Sequence, residues 1–568
     1  MKRRGLYCLL VVMIAVTAVL YFHNTLEPQS VRQGSKECVK SEGWTSAIVA
    51  DVNSREIHLQ VGGKEVASGH NAYMDDNMNL MISSSVLTDA FYCAANFYDR
   101  EMLVLEKNAR RIELTVGDHV MKRDEKEVHL AAAPVLIGEE LFIPVEAVSK
   151  GLGYSYTWSM AENTAVMANE NDEKEVLPYR YDYREIGKVP KVKNQGALGT
   201  CWAFASLNAL ETSLLPEYNL DLSEDHMSLN SDFNVDQHKG GDYTMSIAYL
   251  AAWRGPVLEE DDPYGDGESP AGLSAVKHVQ EIQMIGNKDY QGIKRAVYLH
   301  GGVQTSIYTP LKNYKSRSKY YNNDTNAYCY IGEQKANHDI VIIGWDDSYP
   351  KENFNMELEG DGAFICLNSW GEEFGDNGIF YISYYDTNIG IHNLVYTRVE
   401  ETDNYSNIYQ SDLCGWVGQM GYGNDSAYFA NVYQTKGEEL LRSVAFYATG
   451  PDTEYEVYVV RDAADKYSFY KRQLVASGNL KLAGYYTVEL EESIPLDAGE
   501  RFAVIVYITT PGSVHPIAIE YMVDESTETV DLSDGEGYIS ANGSQWTSAE
   551  STQQSNICLK AFTDDVSD

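Results

Sequence analysis

Val192-Lys193-Asn194-Gln195-Gly196-Ala197-Leu198-Gly199-Thr200-Cys201-Trp202-Ala203-Phe204-Ala205 is the stretch on which this 568-residue chain turns. Ala203, Phe204, Ala205, Leu207, Ala209 and Leu210 form a strong helical segment with an apolar face. Cys201 stands at its start. A thiol there meets the partial positive charge and unpaired N–H groups of a helix N-terminus, and both favour thiolate. Gly196 and Gly199 let the preceding loop turn tightly. Gln195, six residues ahead of Cys201, can then aim its amide at the oxygen of a carbonyl under attack, with the Cys201 backbone N–H as second donor. A lone cysteine at a helix start is ordinarily inert packing. Two blocks downstream decide against that here.

The first is Asn337-His338-Asp339-Ile340-Val341-Ile342-Ile343-Gly344-Trp345, a strand running into a core with His338 at its mouth, 137 residues after Cys201. An imidazole beside a thiol can form a thiolate–imidazolium pair able to attack an amide. The second is Cys366-Leu367-Asn368-Ser369-Trp370-Gly371. Asn368 there can hold the imidazole through its side-chain oxygen and set the tautomer, and Trp370 can cover that contact from water.

These three blocks, in this order, resemble the papain family (C1 peptidases). The opening Leu177-Pro178 and Asp182-Tyr183-Arg184 resemble the start of its mature domain. The resemblance covers about 177–395. It implies a two-lobed catalytic domain, helical plus β-barrel-like, acting on polypeptides, with Cys201, His338, Asn368 and Gln195 as the catalytic set. It implies backbone hydrogen bonds to an extended substrate from Gly240 and Gly241. Asp242 and Asp339 fall near the pocket for the substrate residue two before the cut, which suggests tolerance of basic or polar residues there. Trp370 belongs to the same cleft. No metal or organic cofactor is implied.

The chain departs from that family in three places. Leu198 replaces a cysteine three residues before Cys201, and His238 in Gln237-His238-Lys239-Gly240-Gly241 replaces its partner, so both halves of one disulfide are gone together. His338 and Asn368 lie 30 residues apart, the excess being Asp346 to Asp361, a polar loop expected to shape one side of the cleft. A helical inhibitory propeptide is not recognisable.

Upstream, 55–170 carries an internal repeat. Leu80-Met81-Ile82 precedes helical spacing at Val86, Leu87, Ala90 and Phe91. Leu141-Phe142-Ile143 precedes Val145, Val148 and Leu152, some 61 residues on. Each unit reads as strand, short helix, strand pair. The pattern resembles the α+β module named for the N-terminal domain of copper amine oxidases, found on exported Gram-positive proteins. His70, His119 and His129 are not at metal-pair spacing, so display or scaffolding is the expected role. Downstream, 404–563 has short alternating runs such as Ser443–Tyr447, Tyr455–Val459, Tyr485–Leu490 and Phe502–Tyr507, which predict an antiparallel β-sandwich. It resembles the lectin-like domain that follows papain-like domains in exported clostridial proteins. Its Tyr538 and Trp546 could stack on cell-wall or host carbohydrate, though core packing is the commoner role. The fold class is therefore α+β in three parts: a small repeat module, the two-lobed domain at 177–400, and the sandwich.

The bulk numbers agree. Lys plus Arg is 44 against 84 Asp plus Glu, a net charge of −40, and a field of that sign repels nucleic acid. Eight cysteines without a CxxC pair indicate neither a zinc site nor a disulfide framework. Lys2-Arg3-Arg4 ahead of the apolar Leu6–Phe22 run reads as an export signal. It is either a cleaved signal peptide or an anchor, and it is the chain's only expected membrane contact, followed by a linker at 23–54. The competing reading is a surface adhesion or carbohydrate-binding protein with a vestigial catalytic domain. A transglutaminase-like arrangement fits worse, lacking the Asn-Ser-Trp-Gly block.

Overall fold

The computed structural model describes residues 49–50, 52–66, 71–169 and 176–566. The apolar run at 6–22, most of the linker, His70 and most of the charged hinge at 171–176 lie outside the described residues. Among the described residues no helix is long and apolar enough to cross a membrane.

The repeat upstream has a direct structural meaning. Leu80–Ser83 and Glu140–Pro144, the first strands of the two units, pair antiparallel with Ile82 opposite Ile143. Each leads into a short helix, Leu87–Phe91 and Val145–Gly151. Between the units runs a five-stranded meander from Ala94 to His129. His58–Val61 pairs in parallel with Thr164–Asn169, which draws the two ends of the module together.

The central region has a helical lobe, with α1 (Cys201–Leu214) and α2 (Tyr243–Ala251). The facing sheet lobe holds β1 (His278–Ile285), the helix α3 (Tyr290–Leu299), β2 (Val303–Ile307), β3 (His338–Asp346), β4 (Ala363–Leu367), β5 (Ile379–Ser383) and β6 (Ile391–Glu400). The spatial order is β5, β4, β3, β2, β6, β1. Both α1 and α3 pack on β3, so Ile340-Val341-Ile342-Ile343 reads as one apolar run and all four are buried. The helix α1 is buried on nearly all sides rather than on one face: twelve of its fourteen residues are inside.

The long strand β3 separates two ends of the lobe. His338 opens it, and Asp346 lies eight residues on, about 26 Å at strand rise. The Asp346–Asp361 loop therefore leaves the end remote from His338. It packs on the Tyr321–Tyr328 hairpin, with the Asn322 and Thr325 side chains donating to the Asn353 carbonyl at 2.8 and 2.6 Å. It does not shape the cleft as its length suggested. The N-terminal module docks toward that remote end too. Tyr298 donates to the Glu106 carbonyl at 3.1 Å and packs on Tyr181, itself against Trp345.

The C-terminal part is a sandwich. One sheet holds Thr453–Val460, Arg501–Thr509 and Ser426–Gln434 at its centre. The other holds β7 (Glu439–Ala448), β8 (Ala483–Leu496) and β9 (Leu559–Asp565). This second sheet is not separate from the central lobe: β8 pairs antiparallel with β1, Ile282 opposite Tyr485, and one thirteen-stranded sheet runs through both. Trp546 packs edge-on to Phe469 at 4.9 Å and is 7% exposed, and Tyr538 meets the same ring. Trp546 belongs to the core, and the half-buried Tyr538 packs against it.

Candidate active site

Thr200, ahead of α1, gives no side-chain cap. The helix start is left to the Cys201 sulfur, which backbone N–H groups of Asp339, Trp202 and Cys201 itself approach. The Asp339 N–H belongs to β3, so it seats the start of α1 beside the residue that follows His338.

His338 donates from Nε2 to Asn368 Oδ1 at 2.8 Å, and the Ser369 N–H donates to the same oxygen at 2.8 Å. A backbone N–H can only donate, so the atom facing it is the amide oxygen. His338 must then carry its proton on Nε2 and keep a lone pair on Nδ1. The Trp370 ring stacks on the imidazole at 4.8 Å and 26°. Trp370 is 4% exposed and screens the His338–Asn368 bond from solvent. Asn368 Nδ2 is buried without a partner among the described residues.

Gln195 is tied to the same block. Its N–H donates to the Ser369 carbonyl at 2.9 Å, and Ser369 Oγ donates to its Oε1 at 2.6 Å. Its Nε2 donates to the Leu198 carbonyl at 2.8 Å. One of the two amide hydrogens is thus spent inside the loop, where the sequence reading had the amide turned toward substrate. The second hydrogen is left to meet an oxygen. Gly371 N–H to the Lys193 carbonyl, 3.0 Å, closes the loop pairing.

Sequence reasoning missed what lies beneath. Lys193 Nζ is buried and meets Glu211 Oε1 and Glu224 Oε1, each at 2.9 Å, and the Leu222 carbonyl at 2.7 Å. It pins the Gln195 loop to α1 and to the next helix, Glu224–Leu229. Burial holds both carboxyls above their ordinary range, against the pull of Lys193. Glu211 is the only charged residue on α1. A solitary carboxylate on so apolar a helix was the available signal, because such a group is inside only when paired.

The lost disulfide has a backbone substitute. Gly199 N–H donates to the Gln237 carbonyl at 2.7 Å. Gln237 Nε2 is held by Asp225 Oδ1 at 2.7 Å and Ser228 Oγ at 2.8 Å. His238 points outward near Asp236, and all six described cysteines are free. Gly240 has φ +87°, and Gly241 lies against Trp202 too closely for a side chain. Asp242 caps α2 through the Thr244 N–H at 2.8 Å. Asp339 is buried, accepting from Ser306 Oγ at 2.6 Å and Gln304 Nε2 at 3.3 Å. Burial raises its pKa, with Asp242 adding to the rise.

Burial pushes the Cys201 thiol up to about 12, Asp339 adding to it while the three N–H groups pull the other way. Burial pushes the His338 imidazole down to about 4, against its bond to Asn368. Between these limits the thiol keeps its proton and the imidazole is neutral. Moving that proton from sulfur to Nδ1 creates a nucleophile without changing the net charge of the site.

A thiol at a helix start, an imidazole oriented by a buried amide, and an amide donor six residues ahead are the arrangement in question. The sequence model described as papain family cysteine protease matches residues 177–399. Residues 177–399 are a papain-family cysteine protease domain. Flanking it, 60–167 matches the copper amine oxidase N-terminal domain and 408–563 the lectin-like domain. The protease domain is similar to mouse (Mus musculus) pro-cathepsin H, 27% identical over 237 residues, 40% of this chain and 67% of that protein. It is also similar to mouse cathepsin K, 30% identical over 211 residues, 36% of this chain and 58% of that protein. Two solved structures of the clostridial cysteine protease Cwp84 are similar to this chain, one of them described as its cysteine protease and lectin-like domains. One, determined after propeptide cleavage, is 27% identical with a TM-score of 0.61, covering 68% of this chain and 99% of that one. The other, described as a surface layer associated protein of Clostridium difficile, is 26% identical with a TM-score of 0.59, covering 69% and 91%.

Proposed function

We propose that the chain is an exported or cell-surface cysteine-type endopeptidase. In this reading Cys201 is the nucleophile, His338 its base, Asn368 the group that orients the imidazole, and Gln195 with the Cys201 N–H the oxyanion donors. The observation that carries it is the placement of His338, held by Asn368 and covered by Trp370, on the strand whose next residue faces the start of the Cys201 helix. Sγ attacks the carbonyl carbon while its proton passes to Nδ1 of His338. The imidazolium gives that proton to the leaving amine, and a thioester remains. Water then attacks the thioester with His338 as base and restores the thiol.

Residues 1–22 serve as the export signal or anchor, 23–54 as linker, 55–170 as a display module, 177–400 as the catalytic domain, and 404–563 as the lectin-like sandwich. The basic and apolar N-terminal run and the surface-layer association described for Cwp84 support a surface location. Gly240 and Gly241 hold the substrate backbone, and Asp242 and Asp339 favour a basic or polar residue two before the cut. A peptide library selecting Leu or Phe there would remove that assignment.

A second reading, a surface adhesion or carbohydrate-binding protein with an idle protease domain, is favoured by the two further modules at 60–167 and 408–563. The test is hydrolysis of a mixed fluorogenic peptide set by residues 23–568, beside Cys201→Ala and with a thiol-directed epoxide. Hydrolysis lost in the variant and blocked by the epoxide establishes the endopeptidase. No hydrolysis by either, even after trimming to Leu177 and under reducing conditions, with no epoxide adduct on Cys201, shifts the weight to the second reading.

A further inference from the structure

The segment 308–319 carries Lys312, Lys315, Arg317 and Lys319 and no acidic residue, in a chain of net charge −40. All four cations are exposed. Lys315 and Lys319 lie over the rings of Tyr314 and Tyr320 at 5.0 and 4.9 Å, and Arg317 donates to the Ser316 carbonyl at 3.2 Å. None of the four has a carboxylate partner among the described residues. That is unusual where acidic groups outnumber basic ones nearly two to one.

The segment is an arch anchored beside the site at both ends. It leaves β2 at Ile307, which is paired with His338. Thr309 and Asn337 exchange hydrogen bonds, Thr309 N–H to Asn337 Oδ1 at 2.8 Å and Asn337 Nδ2 to the Thr309 carbonyl at 3.0 Å. At the far end Tyr321 stacks on Phe374 at 5.3 Å, and Phe374 stands edge-on to Trp370 at 4.9 Å. The crest is a tight turn, with Lys312 N–H on Ser316 Oγ at 3.1 Å and Lys315 N–H on Asn313 Oδ1 at 3.0 Å.

We propose that this arch is a recognition surface for acidic polypeptide, engaging the part of the substrate C-terminal to the cut. It rests on the endopeptidase reading above. His338 delivers a proton to the leaving amine, so the leaving half of the substrate lies on the His338 side of the cleft, where the arch stands. An acidic polypeptide is otherwise repelled by this chain, and the arch is the local field that admits it.

The test uses residues 23–568 and an internally quenched peptide that the enzyme cuts. Three versions differ in residues two to five after the cut: neutral, acidic or basic. The acidic version should show kcat/KM about tenfold above the neutral one at low ionic strength, with the preference shrinking in 0.5 M salt. In K312E/K315E/R317E/K319E the order should reverse, the basic peptide becoming the one cut fastest. Fluorescence anisotropy of the same peptides on Cys201→Ala, with and without the four reversals, reads recognition without hydrolysis, so failure of catalysis does not mask the arch. Equal rates and equal affinities for the three versions would overturn the proposal. So would a preference that survives the reversals, or reversals that abolish binding of polyphosphate alone, which would assign the arch to an anionic polymer.

Discussion

Gly199 and Gly240 meet backbone against backbone: a Cβ on Gly199 would come within 2.6 Å of the Gly240 nitrogen and 2.8 Å of its Cα. This contact joins the loop ahead of Cys201 to the loop proposed to hold substrate, at the place where the papain family has a disulfide. Gly199→Ala should push the two loops apart, costing about 1–3 kcal/mol as overpacking does, and cutting kcat/KM far more than stability alone explains. Gly196 has φ +64° with open space around it, so Gly196→Ala should carry only backbone strain of about 1 kcal/mol. Thermal melts and peptide hydrolysis on the two variants, side by side, check this contrast.

Asn368→Ala removes the acceptor that keeps the His338 proton on Nε2. The expected result is a fall in kcat of about a hundredfold or more with KM little changed, because orientation of the base is lost and binding is not. A change confined to KM would contradict the orienting role.

His338 and His300 are both pushed from an ordinary value near 6.5 down to about 4 by burial. In the unfolded chain each takes up a proton as pH falls through 6.5, whereas in the fold neither does until about 4. Each therefore contributes stability that is fully present above pH 6.5 and is lost as pH falls toward 4, on the order of 3 kcal/mol per group. His300→Gln should flatten its share of that slope. The check is Tm against pH from 7 to 4 for wild type and variant.

Gly484, at the β8–β1 junction, has φ +152°, and any side chain there would strike the Ile282 carbonyl. Gly484→Val should separate the sandwich from the protease domain. Calorimetry is expected to show the lectin-like and protease domains melting apart in the variant and together in the wild type. Limited proteolysis should nick the variant near 400–404.

The parts readable from sequence were those written in short stretches. Helix α1, the strand behind His338, the Asn-Ser-Trp-Gly block and the alternating runs of the sandwich all appear in the structure where local pattern put them. The 61-residue repeat became a strand pairing, Ile82 against Ile143. The parts missed depend on contacts between distant segments. Nothing near Lys193 announces Glu224, 31 residues away, as its buried partner. The length of the Asp346–Asp361 loop was visible, but its position depends on which end of a nine-residue strand it leaves. Gln195 was given its place by its spacing from Cys201, while the use of its amide depends on Leu198 and Ser369.

The unbroken sheet through β1 and β8 bonds the two domains strand to strand. A module on a flexible tether raises the local concentration of an enzyme but leaves its heading random. A sandwich bonded strand to strand with the protease domain transmits its own attitude. Were it to hold a wall or a neighbouring molecule, it would decide which way the groove between the lobes faces, and so which stretches of a fixed neighbour come within reach of Cys201.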